Sequence, residues 1–177
     1  LKIINTDCSS KSKLRQLAHD LFSFSYLCGG ISFVDIANLT LRNIVEGRLI
    51  YQRQKTHGNI NLLLSDEALK IIQKYNKYCQ QAGYLFPILH NQRHITPMQK
   101  SNRIHKICHQ VNTDLRTFAT ELGITAEVTT YVARHSFATI LKKSGVNIGI
   151  ISEALGHQIY LSRFDNEQVD EAMKNLL

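Results

Sequence analysis

Arg134 and His135 stand side by side in TTYVARHSFAT, residues 129–139, and the chain turns apolar directly after them. Phe137, Ile140 and Leu141 follow at helical spacing, so this helix should turn one face to a core. An arginine in that place has two uses. It is either a buried partner for a carboxylate or a cation aimed at an anion bound near the helix start. The whole chain leans towards anions, with a net charge of +7 and a pI of about 9.3, which fits a polyanionic partner. The cysteines, Cys8, Cys28, Cys79 and Cys108, are scattered without a CxxC pair. That argues against a zinc site or redox motif and for reduced cytosolic thiols. No metal and no cofactor are expected.

Helices and one hairpin must position these groups. KLRQLAHDLFSFSYLC, residues 13–28, puts Leu14, Leu17, Leu21, Phe24 and Cys28 on one stripe, and Gly29-Gly30 ends the helix. Ser32 can cap a short helix in SFVDIANL. RLIYQRQ and INLLL flank KTHGN and read as a hairpin turning near His57-Gly58. Ser65 can cap a helix running to Ala82, closed by Gly83. Thr96-Pro97-Met98-Gln99 combines a capping box with proline at the first helical position, opening a long helix to about Leu122. The arginine helix runs from about Thr130 to Ser144, and Asn147 caps another that Gly156 ends. Val169, Ala172, Met173, Leu176 and Leu177 form the stripe of an amphipathic C-terminal helix, 166–177.

The chain, 177 residues at 44% hydrophobic, is long enough for a proper core. It reads as one domain, residues 1–177, mainly α with a small β-hairpin or sheet. No run of about 18 apolar residues is present, so no membrane partner is expected. The N-terminus, LKIINTDCSSKSK, lacks a signal-peptide core. It also lacks Met, so a longer parent protein is expected.

ARHSFAT, then about 20 residues later LGH and QIY, form an ordered pair of blocks. Together they resemble the tyrosine recombinase (phage integrase) family. The resemblance extends from DLFSFSYLCGGISFVDIANL to the C-terminal helix, and is nearest to the branch carried by integrative elements of gut anaerobes. It implies the family's catalytic-domain fold, with N-terminal DNA-binding domains lying before residue 1. It also implies a DNA strand transferase that forms a 3′-phosphotyrosyl intermediate without metal or ATP, acting on double-stranded DNA in the bacterial cytoplasm at the nucleoid.

By that resemblance Tyr160 is the nucleophile, Arg134 the phosphate clamp and His157 a second phosphate ligand. Lys55 on the hairpin would protonate the departing 5′-oxygen; the plainer alternative is a solvated turn lysine. Arg53, expected on the same strand face as Lys55, is a phosphate contact. Lys100 and Arg103 are candidates for DNA backbone contacts. The C-terminal helix would dock on a neighbour in a DNA-bound homotetramer or, equally, pack on its own domain.

Three departures stand out. Ser32 occupies the place of a family arginine, so it is either a neutral hydrogen-bond donor to phosphate or a helix cap, with Arg53 able to compensate. Tyr131 stands where the family has a histidine; as a catalytic candidate its hydroxyl could donate a hydrogen bond, but a phenol with a reference pKa of about 10 is a poor base. His135 follows the arginine, as in the family, and reads as bonding to backbone or packing beneath the site; it also joins Arg53, Lys100 and Arg103 among the candidate DNA contacts. The third departure is spacing. His157 and Tyr160 are three residues apart, a reach of roughly 10 Å at most against the family's separation of about nine residues. The expectation is a gap of about six residues between His157 and Gln158, visible as Cα atoms further apart than the roughly 3.8 Å of a trans peptide. Two other activities share these residues: type IB topoisomerase relaxation, and DNA binding with catalysis impaired.

Overall fold

The computed structural model describes residues 2–156 and 166–176. The first helix, α1 (Lys13–Leu27), is capped by Ser12, whose hydroxyl accepts from the Arg15 N–H. Every residue from Asp20 to Leu27 is buried. A helix buried all round belongs at the centre of a fold, and α1 is that centre. Of the expected stripe, Leu14 alone is exposed, at the solvent end of the helix. Gly29 and Gly30, at φ +72° and +68°, turn the chain into α2 (Phe33–Asn38).

An antiparallel sheet follows in the order β1 (Ile44–Val45), β2 (Arg48–Gln52), β3 (Asn59–Leu63). Leu49 pairs with Leu62 and Tyr51 with Ile60, which points Leu49, Leu62 and Ile60 into the core. The sequence reading missed β1, a strand of two residues whose turn uses Glu46 and Gly47, both at positive φ. It also ran β2 too far. The strand stops at Gln52, so the two-residue alternation expected to align Arg53 with Lys55 does not reach them.

Where one helix was expected over 65–82 there are two, α3 (Asp66–Lys74) and α4 (Asn76–Ala82), meeting at Tyr75. Tertiary contacts gather at the break. Lys74 Nζ and Tyr75 Oη each donate to the buried Asp20 carboxylate at 2.6 Å, and the Tyr75 ring packs edge-on against Phe86. The long helix α5 (Pro97–Glu121) carries the expected Thr96–Gln99 capping box.

Next come α6 (Thr130–Lys143) and α7 (Ile148–Ala154). Helix α1 packs against α3, α5 and α6. The C-terminal helix α8 (Asn166–Met173) continues into a 3₁₀ turn, Lys174–Leu176. It lies on its own domain, with Val169, Ala172 and Met173 buried. Arg48 grips Asp170 through two hydrogen bonds of 2.7 and 3.2 Å, and the Leu63 N–H donates to the same carboxylate at 3.1 Å. The fold is mainly α with one small sheet, as the sequence implied.

Candidate active site

Helix α2 begins with a hydroxyl already in use. Ser32 Oγ accepts from the Asp35 N–H at 3.2 Å and donates to Asp35 Oδ2 at 2.6 Å. Its proton is therefore committed to a carboxylate, and Ser32 stands as the helix cap of the two readings above. Asp35, 3% exposed, also accepts the Gln54 N–H at 2.9 Å through Oδ1, while Arg53 Nε lies 3.9 Å from Oδ2. This carboxylate joins the start of α2 to the β2–β3 turn. Sequence reasoning missed it. The signal was present: SFVD is the serine-to-acid spacing of a capping box.

Arg134 lies one turn into α6, and its setting depends on Gly30. A Cβ at residue 30 would stand 2.9 Å from both Cα and Cγ of Arg134, so only glycine lets the two backbones approach this closely. The Arg134 guanidinium donates to the carbonyl oxygens of Gly30 at 2.9 Å and Leu155 at 2.6 Å. Burial, and after it the nearby charge of Arg53, lower the Arg134 pKa from the ordinary arginine value. Two guanidinium groups sharing a half-buried site repel one another, and an anion between them would relieve that repulsion.

Arg53 is 8% exposed and donates from Nη1 to Gly156 O at 3.3 Å; its Nε is buried without a hydrogen-bond acceptor. Lys55 is exposed in the turn. The same-face expectation for Arg53 and Lys55 thus fails at the level of the strand, yet both line one cleft of about 640 Å³. Ser32, Thr130, Tyr131 and Arg134 line it too. Among the described lining residues no side chain is acidic, and Asp35 is buried nearby, 3.9 Å from Arg53 Nε. Three cations, Arg53, Lys55 and Arg134, thus line the cleft, and their charge suits it to an anion.

Tyr131 is 63% exposed at this mouth, with its ring edge-on to His135 at 4.5 Å. His135 corrects an expectation. It is exposed, facing a separate groove with Lys142 and Ile148, and does not pack beneath the site. Ala133, Phe137 and Leu141 take the buried face of α6, which turns residue 135 outwards. Lys100 and Arg103 sit on α5 outside the cleft lining, Lys100 over the Tyr84 ring and Arg103 donating to Ile88 O. His157 and Tyr160, with the gap expected between them, lie outside the described residues. Among the described residues no histidine, cysteine and carboxylate cluster could hold a metal ion, and no helix is long and apolar enough to cross a membrane.

The phage integrase family model matches residues 2–160. The chain belongs to that family. No curated protein is similar enough to count as a match. For this integrase, family membership implies site-specific recombinase or integrase activity, carried out on DNA, by an enzyme of the DNA strand-transfer class.

Proposed function

We propose that this integrase cuts and rejoins double-stranded DNA through a 3′-phosphotyrosyl intermediate, inserting or excising a mobile element. Tyr160 Oη attacks phosphorus, its proton passes to water, and the bond from phosphorus to the 5′-oxygen breaks. Lys55 gives that oxygen its proton. Attack by the 5′-hydroxyl of another strand reverses the step, restoring the phosphodiester and the tyrosine, so bond energy is conserved without ATP or metal. Arg134 meets the nonbridging oxygens, whose charge grows in the transition state, and His157 donates a hydrogen bond to the same phosphate.

Ser32 brings no charge where the family has an arginine, and Arg53 supplies it instead. Tyr131 contacts the phosphate from the rim. His135, Lys100 and Arg103 serve the flanking backbone. Four protomers assemble on the DNA, in the cytoplasm at the nucleoid, and residues 166–177 pass from their own domain to a neighbour. The chain acts as the catalytic domain of a longer integrase.

One observation carries this reading. Arg53, Lys55 and Arg134 gather at one cleft, and both arginines bond the carbonyls of Leu155 and Gly156. In sequence that pair leads directly into His157 and Tyr160.

The test is incubation of the full-length protein with a nicked duplex that traps the cleaved state. A covalent protein–DNA adduct, absent for Tyr160→Phe, is the expected result. Binding without any adduct would instead mark a DNA-binding protein whose catalysis is impaired, the reading that Ser32 favours. Joining to a second duplex separates recombination from topoisomerase-like relaxation.

A further inference from the structure

Lys55 lies at the tip of the β2–β3 turn, and its ammonium has no hydrogen bond or ion pair with any described residue. A long side chain on a solvent-exposed turn has many rotamers, and the turn itself would move with it unless tied down. Both neighbours of Lys55 are tied. The Gln54 N–H donates to Asp35 Oδ1 at 2.9 Å, and Thr56 Oγ1 donates to Gly156 O at 2.8 Å. The turn also closes on itself. The Arg53 N–H donates to Gly58 O and the His57 N–H to Arg53 O, both at 2.9 Å, with His57 at φ 55°.

The Thr56 bond joins the turn to Gly156, 100 residues on and just past the end of α7. Gly156 is shaped to receive it. At φ +66° a Cβ there would stand 2.9 Å from Ile60 Cδ1 and 3.0 Å from Arg53 Cδ, so a larger residue would force the carbonyl away. Gly58 approaches the same carbonyl from the other side, where a Cβ would be 3.3 Å from Gly156 O.

We propose that Thr56 is a positioning residue for the Lys55 ammonium. Its hydroxyl fixes the turn against the end of α7 and so holds Lys55 over the cleft into which Arg134 faces. The inference rests on the reading that Lys55 protonates the departing oxygen. Losing the hydroxyl would free the C-terminal side of the turn without orphaning the carbonyl, because Arg53 Nη1 still donates to Gly156 O. The fold should therefore survive while the proton donor drifts. Proton transfer needs a heavy-atom separation of about 2.6–3.2 Å, so even a small drift is costly.

The experiment compares two nicked duplexes of one sequence, selected by the full-length protein from a random pool. One has an ordinary phosphodiester at the cleaved position; the other has sulfur in place of the bridging 5′-oxygen. A thiolate leaves without taking up a proton, so the second duplex needs no general acid. On the ordinary duplex Thr56→Val should form adduct about 10–100-fold more slowly than the unsubstituted protein. On the sulfur duplex it should come within about threefold of it, whereas Thr56→Ser, which keeps the hydroxyl, should stay within about threefold on both.

Lys55→Ala should show the same selective rescue on a larger deficit. Equal slowing of Thr56→Val on both duplexes, or no slowing on either, would overturn the role of Thr56 while leaving the function standing. An unsubstituted protein that forms no adduct with either duplex, or a Lys55→Ala variant that sulfur does not rescue, would bring down the function reading and this inference together.

Discussion

Among the described residues two carboxylates, Asp20 and Asp35, are buried, and they are used in opposite ways. Asp20, 7% exposed, receives Lys74 Nζ and Tyr75 Oη at 2.6 Å and has His19 Nδ1 at 3.4 Å. Its charge is answered within the cluster. Asp35, 3% exposed, receives a hydroxyl and a backbone N–H, while its cationic neighbour Arg53 stays 3.9 Å away with Nε lacking an acceptor. Around Asp20 the hydrogen bonds close a structure. Around Asp35 they join the start of α2 to the β2–β3 turn, beside a cleft lined by Arg53, Lys55 and Arg134. Burial alone does not tell the two apart; what separates them is whether the surrounding donors are used up.

The contrast can be broken most severely at Arg134. Arg134→Ala should slow adduct formation by about 10³-fold while DNA binding changes little, because the guanidinium acts chiefly on charge that develops in the transition state. Equal losses of binding and cleavage, measured by gel shift and by adduct yield, would make Arg134 a structural residue like Lys74.

Asp35→Asn keeps an acceptor for the Gln54 N–H, but it removes the charge and puts an amide donor where Oδ2 accepts the Ser32 hydroxyl. It should cost about 30–100-fold in cleavage rate through misplaced cations, with a small change in the urea midpoint. Asp20→Asn should do the reverse, costing about 3 kcal/mol of stability at neutral pH and leaving cleavage by the folded fraction within about twofold. If the two variants behaved alike, the distinction drawn between the carboxylates would be lost.

The Asp20 variant also carries a pH signature. Burial by itself would raise that carboxyl, but hydrogen bonds from His19, Lys74 and Tyr75 outweigh it and hold the pKa below the ordinary value. A depressed folded-state pKa gives stability that is present above the unfolded value of about 3.9 and lost as pH falls through the folded one. The stability gap between Asp20→Asn and the unsubstituted protein should therefore be full at pH 6 and shrink below about pH 4. A gap that stays constant on acidification would mean the charge of Asp20 contributes nothing. The smallest effect is expected at Ser32→Ala, about 1 kcal/mol for the lost cap and no more than about a threefold change in cleavage. A much larger catalytic loss would mean the hydroxyl leaves Asp35 to meet phosphate.

Most of the fold was legible because its boundaries are local. Ser12, Ser65, Thr96-Pro97-Gln99 and Asn147 cap their helices with bonds spanning two or three residues, which a linear reading can see. The failures are tertiary. Tyr75, where the expected helix divides, gives its hydroxyl to Asp20, 55 positions earlier. Arg53, one residue past the end of β2, is buried, and Asp35 accepts a bond from a turn 19 residues later. In the site, Ser32, Arg53, Lys55, Tyr131 and Arg134 do share one cleft. His135 was misread because adjacency in sequence is 100° of rotation on a helix.

The Asp170 carboxylate has a consequence for how this domain keeps company with itself. Among the described residues β3 is an edge strand, and its Leu63 N–H is held by Asp170 of α8. The tail helix is therefore a cover over an open hydrogen-bonding edge as well as a source of packing. A chain truncated before Asn166 would present that edge beside the apolar surface normally shielded by Val169 and Met173, a template for strand addition by another copy. Such a protein would be lost to aggregation more readily than to simple unfolding. Neutralising Asp170 alone would loosen the cover and begin to expose the same edge.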